Sequence, residues 1–337
     1  MRRARHAGAP VHGTTPDRGG TARRDDRIGG TGPVGERGAA HRRGARGPGV
    51  TAGKSADWPS GERSSAASGE RSSAASGEPE ILVLPDAAAA AAAAAARIAT
   101  ALASAVAARG VAHWATTGGS TPGAIYRNLA ARPLRDTVPW EGVHIWWGDD
   151  RWVPPDDPLS NVLACRDLLL RDVPLPADQV HPFPIGEAMA RGLPPSWVAE
   201  RYAVELRAAK VPLDAAGFPI LDIILVGIGS DGHLFSVFPG SGTWDDPAWA
   251  QAVAAPTHIA PRVERITLHP RVMDAARLPL AVAHGPSKAA IIGRIFGPRG
   301  DERELPALLA RRPGALWILD EAAAVAIPPE ARAAPAR

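Results

Sequence analysis

The stretch Ile223-Ile224-Leu225-Val226-Gly227-Ile228-Gly229-Ser230-Asp231-Gly232-His233-Leu234-Phe235-Ser236-Val237-Phe238 reads as a strand running into a glycine-rich turn that carries an acid and a histidine two residues apart. The aliphatic run 223–226, mostly β-branched, suits a strand buried on both faces, as in parallel sheets. Parallel sheets bind ligands outside the carboxyl ends of their strands. Gly227, Gly229 and Gly232 let the backbone turn sharply and approach a ligand closely, with Asp231 and His233 projecting from a rigid strand end. The spacing Gly227-x-Gly229-x-x-Gly232 also matches the dinucleotide fingerprint. It comes late in the chain, however, and no acid ends a second strand about twenty residues on to bind a ribose, so no nicotinamide or flavin site is expected.

Outward from this stretch, short apolar runs alternate with longer helical patterns. Ile81–Leu84, Val111–Thr116, Val143–Trp147, Leu221–Val226, Arg265–Leu268, Leu280–Ala283 and Leu316–Leu319 read as strands. Asp86–Arg109, with Asp86 as cap, Thr121–Ala131, with Pro122 in its first turn, Ser160–Leu170, Pro195–Ala209 and Ser287–Phe296 read as helices. Such alternation predicts an α/β fold, a Rossmann-like doubly wound, mainly parallel sheet with helices on both faces. The proline-rich segment from Val173 to Pro195 is expected to form an excursion over one side.

The folded part is expected at residues 79–330. Residues 1–78 are nearly free of aliphatic side chains and end in a tandem octapeptide, SGERSSAA from Ser60 and again from Ser68. Such text cannot bury enough apolar surface to offset the entropy of ordering it, so it is expected to be a disordered basic tail, as are residues 331–337 at the other end. The tail holds 14 Lys or Arg and 8 Asp or Glu, leaving 24 and 27 for the rest, so the chain's net charge of +3 belongs to the tail. A near-neutral body gives no reason to expect nucleic acid as a partner. The tail lacks the apolar core of a secretory signal, and its acids do not suit a transit peptide. The alanine run Ala87–Ala96 is too short to span a bilayer, and no membrane partner is expected. One cysteine, Cys165, precludes an internal disulfide and fits a cytoplasmic location.

Three polar clusters fall just after expected strands. Thr117-Gly118-Gly119-Ser120-Thr121 opens a helix, where free N–H groups and the dipole end favour a phosphate; an ordinary capped turn is the alternative. No Gly-Lys-Ser/Thr follows, so it is not a Walker loop, and Pro122 breaks the nucleophile-elbow pattern. Asp149-Asp150-Arg151, with Ser160-Asn161 downstream, is either a surface ion-pair network or a fork for anionic oxygens with carboxylates to orient it. The third cluster is Gly229, Asp231, Gly232 and His233, a catalytic setting unless the histidine is merely structural. The chain has only three lysines, and Lys288, at a helix start after a strand, is placed to reach a phosphate, although a surface lysine is the plain alternative.

The ordered succession GGSTP, D-D-R-W-V-P with a downstream Ser-Asn, and G-I-G-S-D-G-H-L-F-S-V-F-P-G resembles the 6-phosphogluconolactonases of the glucosamine/galactosamine-6-phosphate isomerase superfamily. Arg265-Ile266-Thr267-Leu268, the Gly285–Lys288 turn and Trp317-x-Leu319-Asp320 are further echoes. The resemblance implies a sugar-phosphate isomerase/deaminase-type sheet and hydrolysis of 6-phospho-D-glucono-1,5-lactone, with no cofactor and no metal. His181, His258, His269 and His284 are scattered without ligand spacing. On this reading His233 is the general base and acid, with Asp231 orienting it and Arg151 fixing the substrate. Gly118, Gly119, Ser120, Thr121, Asp149, Asn161, Gly229, Gly232 and Lys288 complete the phosphate and sugar site. The chain is expected to act as a monomer or weak homo-oligomer. Asp150 stands where Glu is usual, with an altered bond to Arg151 expected, and Leu234-Phe235 where Thr-Ala is usual, adding bulk beside His233. A glucosamine-6-phosphate deaminase would continue Ala-Phe-Asn-Glu-Pro after the histidine. Here Ser236, Val237 and Phe238 follow, with no acid. A sugar-phosphate sensor built on a related sheet would carry a helix-turn-helix, which the Gly- and Pro-rich tail does not suit.

Overall fold

The computed structural model describes residues 77–332. Nearly all of the expected tail 1–78 and most of the expected tail 331–337 lie outside the described residues. The described body is an α/β fold with ten strands. In chain order these are β1 (Glu80–Leu84), β2 (Ala112–Thr116), β3 (Val143–Trp147), β4 (Asp149–Arg151), β5 (Val180–His181), β6 (Ile223–Val226), β7 (Ala250–Val253), β8 (Arg265–Leu268), β9 (Leu278–Ala283) and β10 (Leu316–Asp320). Contacts reach just past both ends of the expected 79–330 body. Glu78 already pairs with the guanidinium of Arg311 through two bonds of 2.7 and 2.8 Å, and Ala331 is buried in a last helical turn, Pro329–Arg332.

Seven strands form one sheet in the order β1-β10-β9-β6-β2-β3-β5, every neighbouring pair parallel. From β2 the chain winds outward to β3 and β5, then returns to β6 on the other side of β2 and winds outward through β9 and β10. The winding reverses between β2 and β6, where the loops leaving the strand ends diverge and open a crevice.

Helix α1 (Ala87–Arg109) starts on Asp86, which accepts from Ala89 N at 2.8 Å, and stops at Gly110 in the left-handed region. The alanine run is only its first half. The whole helix is 23 residues, long and apolar enough to cross a bilayer by length and composition alone, a test that a buried core helix also passes. Its face from Ala90 through Ile98 and Leu102 to Ala105 is buried, and it packs against β9, β10 and helix α2 (Ser120–Ala130). Small alanines let the helix lie close to the sheet. Trp114, Trp146, Trp147, Trp317, Tyr126 and Tyr202 fill the layers and are fully buried. The Tyr202 hydroxyl accepts from Trp147 N at 2.8 Å and fixes the end of β3.

Arg265–Leu268, read as one more strand of the alternating series, belongs to a second sheet, β4-β8-β7, which is antiparallel. The link from β7 to β8 contains no helix, so it cannot make a parallel crossover and the two strands pair head to tail. The proline-rich excursion supplies β5, the sheet's last strand, and a helix, Ile185–Arg191. The expected helix Ser160–Leu170 is α-helical only over Asn161–Cys165 and widens to a π turn over Arg166–Leu170.

Candidate active site

A cavity of about 270 Å³ opens at the crevice between the ends of β2 and β6. Its walls come from the loop after β2, from β4, from the glycine turn after β6, from β8 and from Lys288. The motifs after three parallel strands therefore meet at one place. Gly118, Gly119, Ser120, Thr121, Asp149, Arg151, Gly229, His233 and Lys288 all line it.

On the β6 side, His233 Nδ1 lies 2.5 Å from Asp231 Oδ1, and His258 Nε2 lies 2.8 Å from Asp231 Oδ2. Burial opposes the charge on Asp231, but the bonds and field of the two imidazoles outweigh it and hold the carboxyl well below the usual range. An ionised carboxylate can only accept, so His233 donates from Nδ1, and its Nε2 keeps a lone pair while the ring is neutral. Among the described residues nothing bonds to that Nε2. Asp231 itself stands behind the histidine rather than in the cavity wall. Gly229 is required by this pair: a Cβ there would lie 2.1 Å from His233 Nδ1. Gly232, expected to touch substrate, instead adopts φ +90 and gives its space to Leu305.

On the opposite side, β4 and β8 place Arg151 directly across from Arg265. Arg151 spends one bond on Leu159 O at 2.7 Å, and Arg265 one on Pro261 O at 2.9 Å. The Nε of each is buried without a partner, and neither forms an ion pair among the described residues. Burial disfavours the charge on Arg265, Asp149 counters it and Arg151 adds to it. Two adjacent guanidinium groups with unused donors are a site for a doubly charged anion. Lys288 extends the cationic wall; its Nζ donates to Ile228 O at 2.6 Å, and burial lowers its pKa against the pull of Asp231. Its turn is fixed by Asp320 at the end of β10, which accepts from Gly285 N at 2.9 Å. The first turn of α2 faces the same cavity. It has no side-chain cap and begins on Gly119 at φ +104, leaving its N–H groups for a ligand.

Two of the expected site residues are bonded into the wall. Asn161 is buried outside the cavity wall and braces it: Nδ2 donates to Asp149 O at 2.8 Å, and its Oδ1 occupies the space a Cβ on Gly118 would need. Asp149 reaches the cavity but is almost fully buried, and its carboxylate accepts from Ser236 Oγ at 2.7 Å and from Asn161 Nδ2 at 3.2 Å. Both brace the wall through Asn161 Nδ2 and the Asp149 carboxylate, while Asn161 Oδ1 is buried without a hydrogen-bond partner. The altered bond expected between Asp150 and Arg151 is not made to the guanidinium: Asp150 Oδ1 accepts from the backbone N–H of Arg151 at 2.8 Å and of Asn161 at 2.7 Å. Of the bulky pair, Leu234 turns into the core, while Phe235, at φ +54, covers Gly148 and lines the cavity.

Sequence reasoning missed Arg265 and His258. Arg265 was visible only as the start of a strand and of a family echo, with no role attached, and His258 lies in an irregular segment with no pattern around it. Among the described residues no three His, Cys, Asp or Glu side chains converge to hold a metal ion.

The fold and the cleft define a doubly wound α/β protein whose cavity sets a carboxylate-held histidine opposite two guanidinium groups. The chain belongs to the family described as glucosamine-6-phosphate isomerases/6-phosphogluconolactonase, whose model matches residues 85–318. It is 35% identical over 255 residues to a 6-phosphogluconolactonase of Streptomyces coelicolor, covering 74% of this chain and 95% of that one. It is 34% identical to a 6-phosphogluconolactonase of Synechocystis, over 65% of this chain and 85% of the relative. Its structure resembles that of 6-phosphogluconolactonase from Trypanosoma brucei, with a TM-score of 0.63 and 28% identity over 73% of this chain and 98% of that chain. A monomeric glucosamine-6-phosphate deaminase shares the fold, with a TM-score of 0.59 and 18% identity over 73% of this chain and 99% of that chain.

Proposed function

We propose that the chain hydrolyses 6-phospho-D-glucono-1,5-lactone to 6-phospho-D-gluconate, the second step of the oxidative pentose phosphate pathway. The observation that carries this reading is the free Nε2 of His233 facing, across one small cavity, two guanidinium groups without anionic partners. The names borne by the relatives support the same substrate.

Arg151, Arg265, Lys288 and the first turn of α2 bind the 6-phosphate, and this anchors the lactone carbonyl near His233. Nε2 takes a proton from water as the water oxygen attacks C1, and the carbonyl electrons move to the exocyclic oxygen. The tetrahedral anion collapses, the C1–O5 bond breaks, and the proton returns from Nε2 to O5. Asp231 steadies the imidazolium between the two transfers. One histidine acting as base and then acid contributes about 10²–10⁴-fold. Every group named comes from one chain, so a monomer or weak homo-oligomer suffices. The free, buried Cys165 supports a cytoplasmic setting.

The deaminase alternative is disfavoured by Ser236-Val237-Phe238, which supply no acid after the histidine. The two readings separate in one assay, with freshly generated 6-phosphogluconolactone against glucosamine 6-phosphate. Lactone turnover above the spontaneous rate is expected, without ammonia release from the amino sugar; the converse result would overturn the reading. His233→Asn is expected to lower kcat at least about 10²-fold while changing KM less than about threefold. Near-normal kcat in that variant would remove His233 from the mechanism.

A further inference from the structure

Asp231 is held from both sides, and the second holder has no part in the chemistry derived above. His258 belongs to residues 254–263 of the irregular link 254–264 between β7 and β8. Two neighbours in this link, Ile259 and Ala260, form part of the cavity wall. Besides the bond of 2.8 Å from Trp152 N to Glu264 O at its far end, two hydrogen bonds among the described residues tie the link to the body. One is His258 Nε2 to Asp231 Oδ2 at 2.8 Å, and the other is Arg265 to Pro261 O at 2.9 Å. Both partners are site residues, one on each side of the cavity. Phe238 fills the angle between them, its ring 4.9 Å from that of His233, 5.6 Å from that of His258 and 5.5 Å from the Arg265 guanidinium carbon. Beyond His258 and Phe238 lies a separate cavity of about 520 Å³, so the link has open space on its outer side.

We propose that His258 is a positioning residue: through Asp231 it latches the 254–263 link over the cavity, so that closing the wall and orienting His233 become one event. This rests on the lactonase reading of the site and deepens it. A carboxylate with one oxygen on each imidazole has a fixed plane, and that plane sets the direction of His233 Nδ1 and therefore of Nε2. Without His258 the carboxylate is held through Oδ1 alone, by His233 Nδ1 and by His233 N at 3.1 Å, and the link loses its tie to Asp231. Charge-assisted bonds of this kind, once lost, typically cost tenfold or more in the state they hold.

The test uses the full chain with His258→Ala and His258→Gln, the latter because a glutamine amide carries a donor close to the position of imidazole Nε2. Two readouts are taken: kcat and KM for 6-phosphogluconolactone, and the rate of trypsin cleavage after the exposed Arg262 within the link. For His258→Ala we expect kcat to fall about tenfold and cleavage to rise about fivefold or more, with His258→Gln within about threefold of wild type in both. Unchanged cleavage and kcat in His258→Ala would overturn the proposal, as would failure of glutamine to rescue. Absence of lactone hydrolysis by the wild-type chain would sink the lactonase reading instead, and the trypsin comparison would still decide the latch.

Discussion

Asp150 shows how much a single side chain can be reassigned by its surroundings. In sequence it is one of two acids beside an arginine, and it reads as a partner for that arginine or for a sugar. In the fold it is 1% exposed, accepting two backbone N–H groups, with Ser160 Oγ at 3.3 Å. Burial pushes its pKa up to about 7, against the lowering effect of those two bonds. From the ordinary value of 3.8 up to about 7, the folded chain keeps a proton that the unfolded chain releases. Its contribution to stability is therefore fully present below 3.8 and is lost as pH rises through about 7. Asn in its place would accept the same two bonds and donate to Ser160 without a charge. In denaturant unfolding at pH 5, 6 and 7, Asp150→Asn should gain on wild type as pH rises, by up to about 1.4 kcal/mol per pH unit, and level off above pH 7. Buried histidines such as His113 titrate in the same range but cancel in the difference. A gap independent of pH would show that Asp150 is ionised throughout. The exchanged roles of Asp149 and Asn161 have the same origin. Residue type and spacing announced polar chemistry at the wall, whereas burial decided which atoms remain free.

At the scale of elements, the small antiparallel sheet sets the cationic wall of the cavity. Strand β4 has three residues and β7 reads Ala-Gln-Ala-Val, too short and too weakly patterned to be recognised before folding. Their pairing with β8 nevertheless sets the register that puts Arg265 against Arg151. By contrast, the Gly118–Thr121 and Gly229–His233 motifs were legible because each directly follows a strand of the large sheet and needs only local backbone geometry. The register carries a prediction. Arg265→Ala should raise KM for the phosphorylated lactone at least about tenfold, and leave hydrolysis of unphosphorylated glucono-1,5-lactone within about threefold of wild type. Measuring kcat/KM for both substrates checks it, and equal losses on both would mean that Arg265 serves the wall rather than the phosphate.

At the scale of the molecule, the body extends to the clasp between Glu78 and Arg311, whose Nη1 also donates to the carbonyls of Ile295 and Gly297. Arg311 is nearly buried, while the Glu78 side chain is 36% exposed, so solvent weakens the pair. Glu78→Ala should cost about 1 kcal/mol, a loss of about 2–4 °C in Tm, with unchanged kcat at 25 °C. A chain beginning at Ser76 should keep full stability and activity; loss of either would give the preceding residues a part in the body. Calorimetry and the lactone assay check both. The sequence by itself determined the alternation of strands and helices, the burial of the 223–226 strand and the adjacency of Asp231 and His233. These follow from side-chain periodicity and from contacts only a few residues apart along the chain. Tertiary structure alone decided the strand order that opens the crevice between β2 and β6, the facing of Arg151 with Arg265, and the reach of His258 to Asp231. Those contacts join residues 27 to 114 positions apart, and only the packing of whole layers brings them within bonding distance.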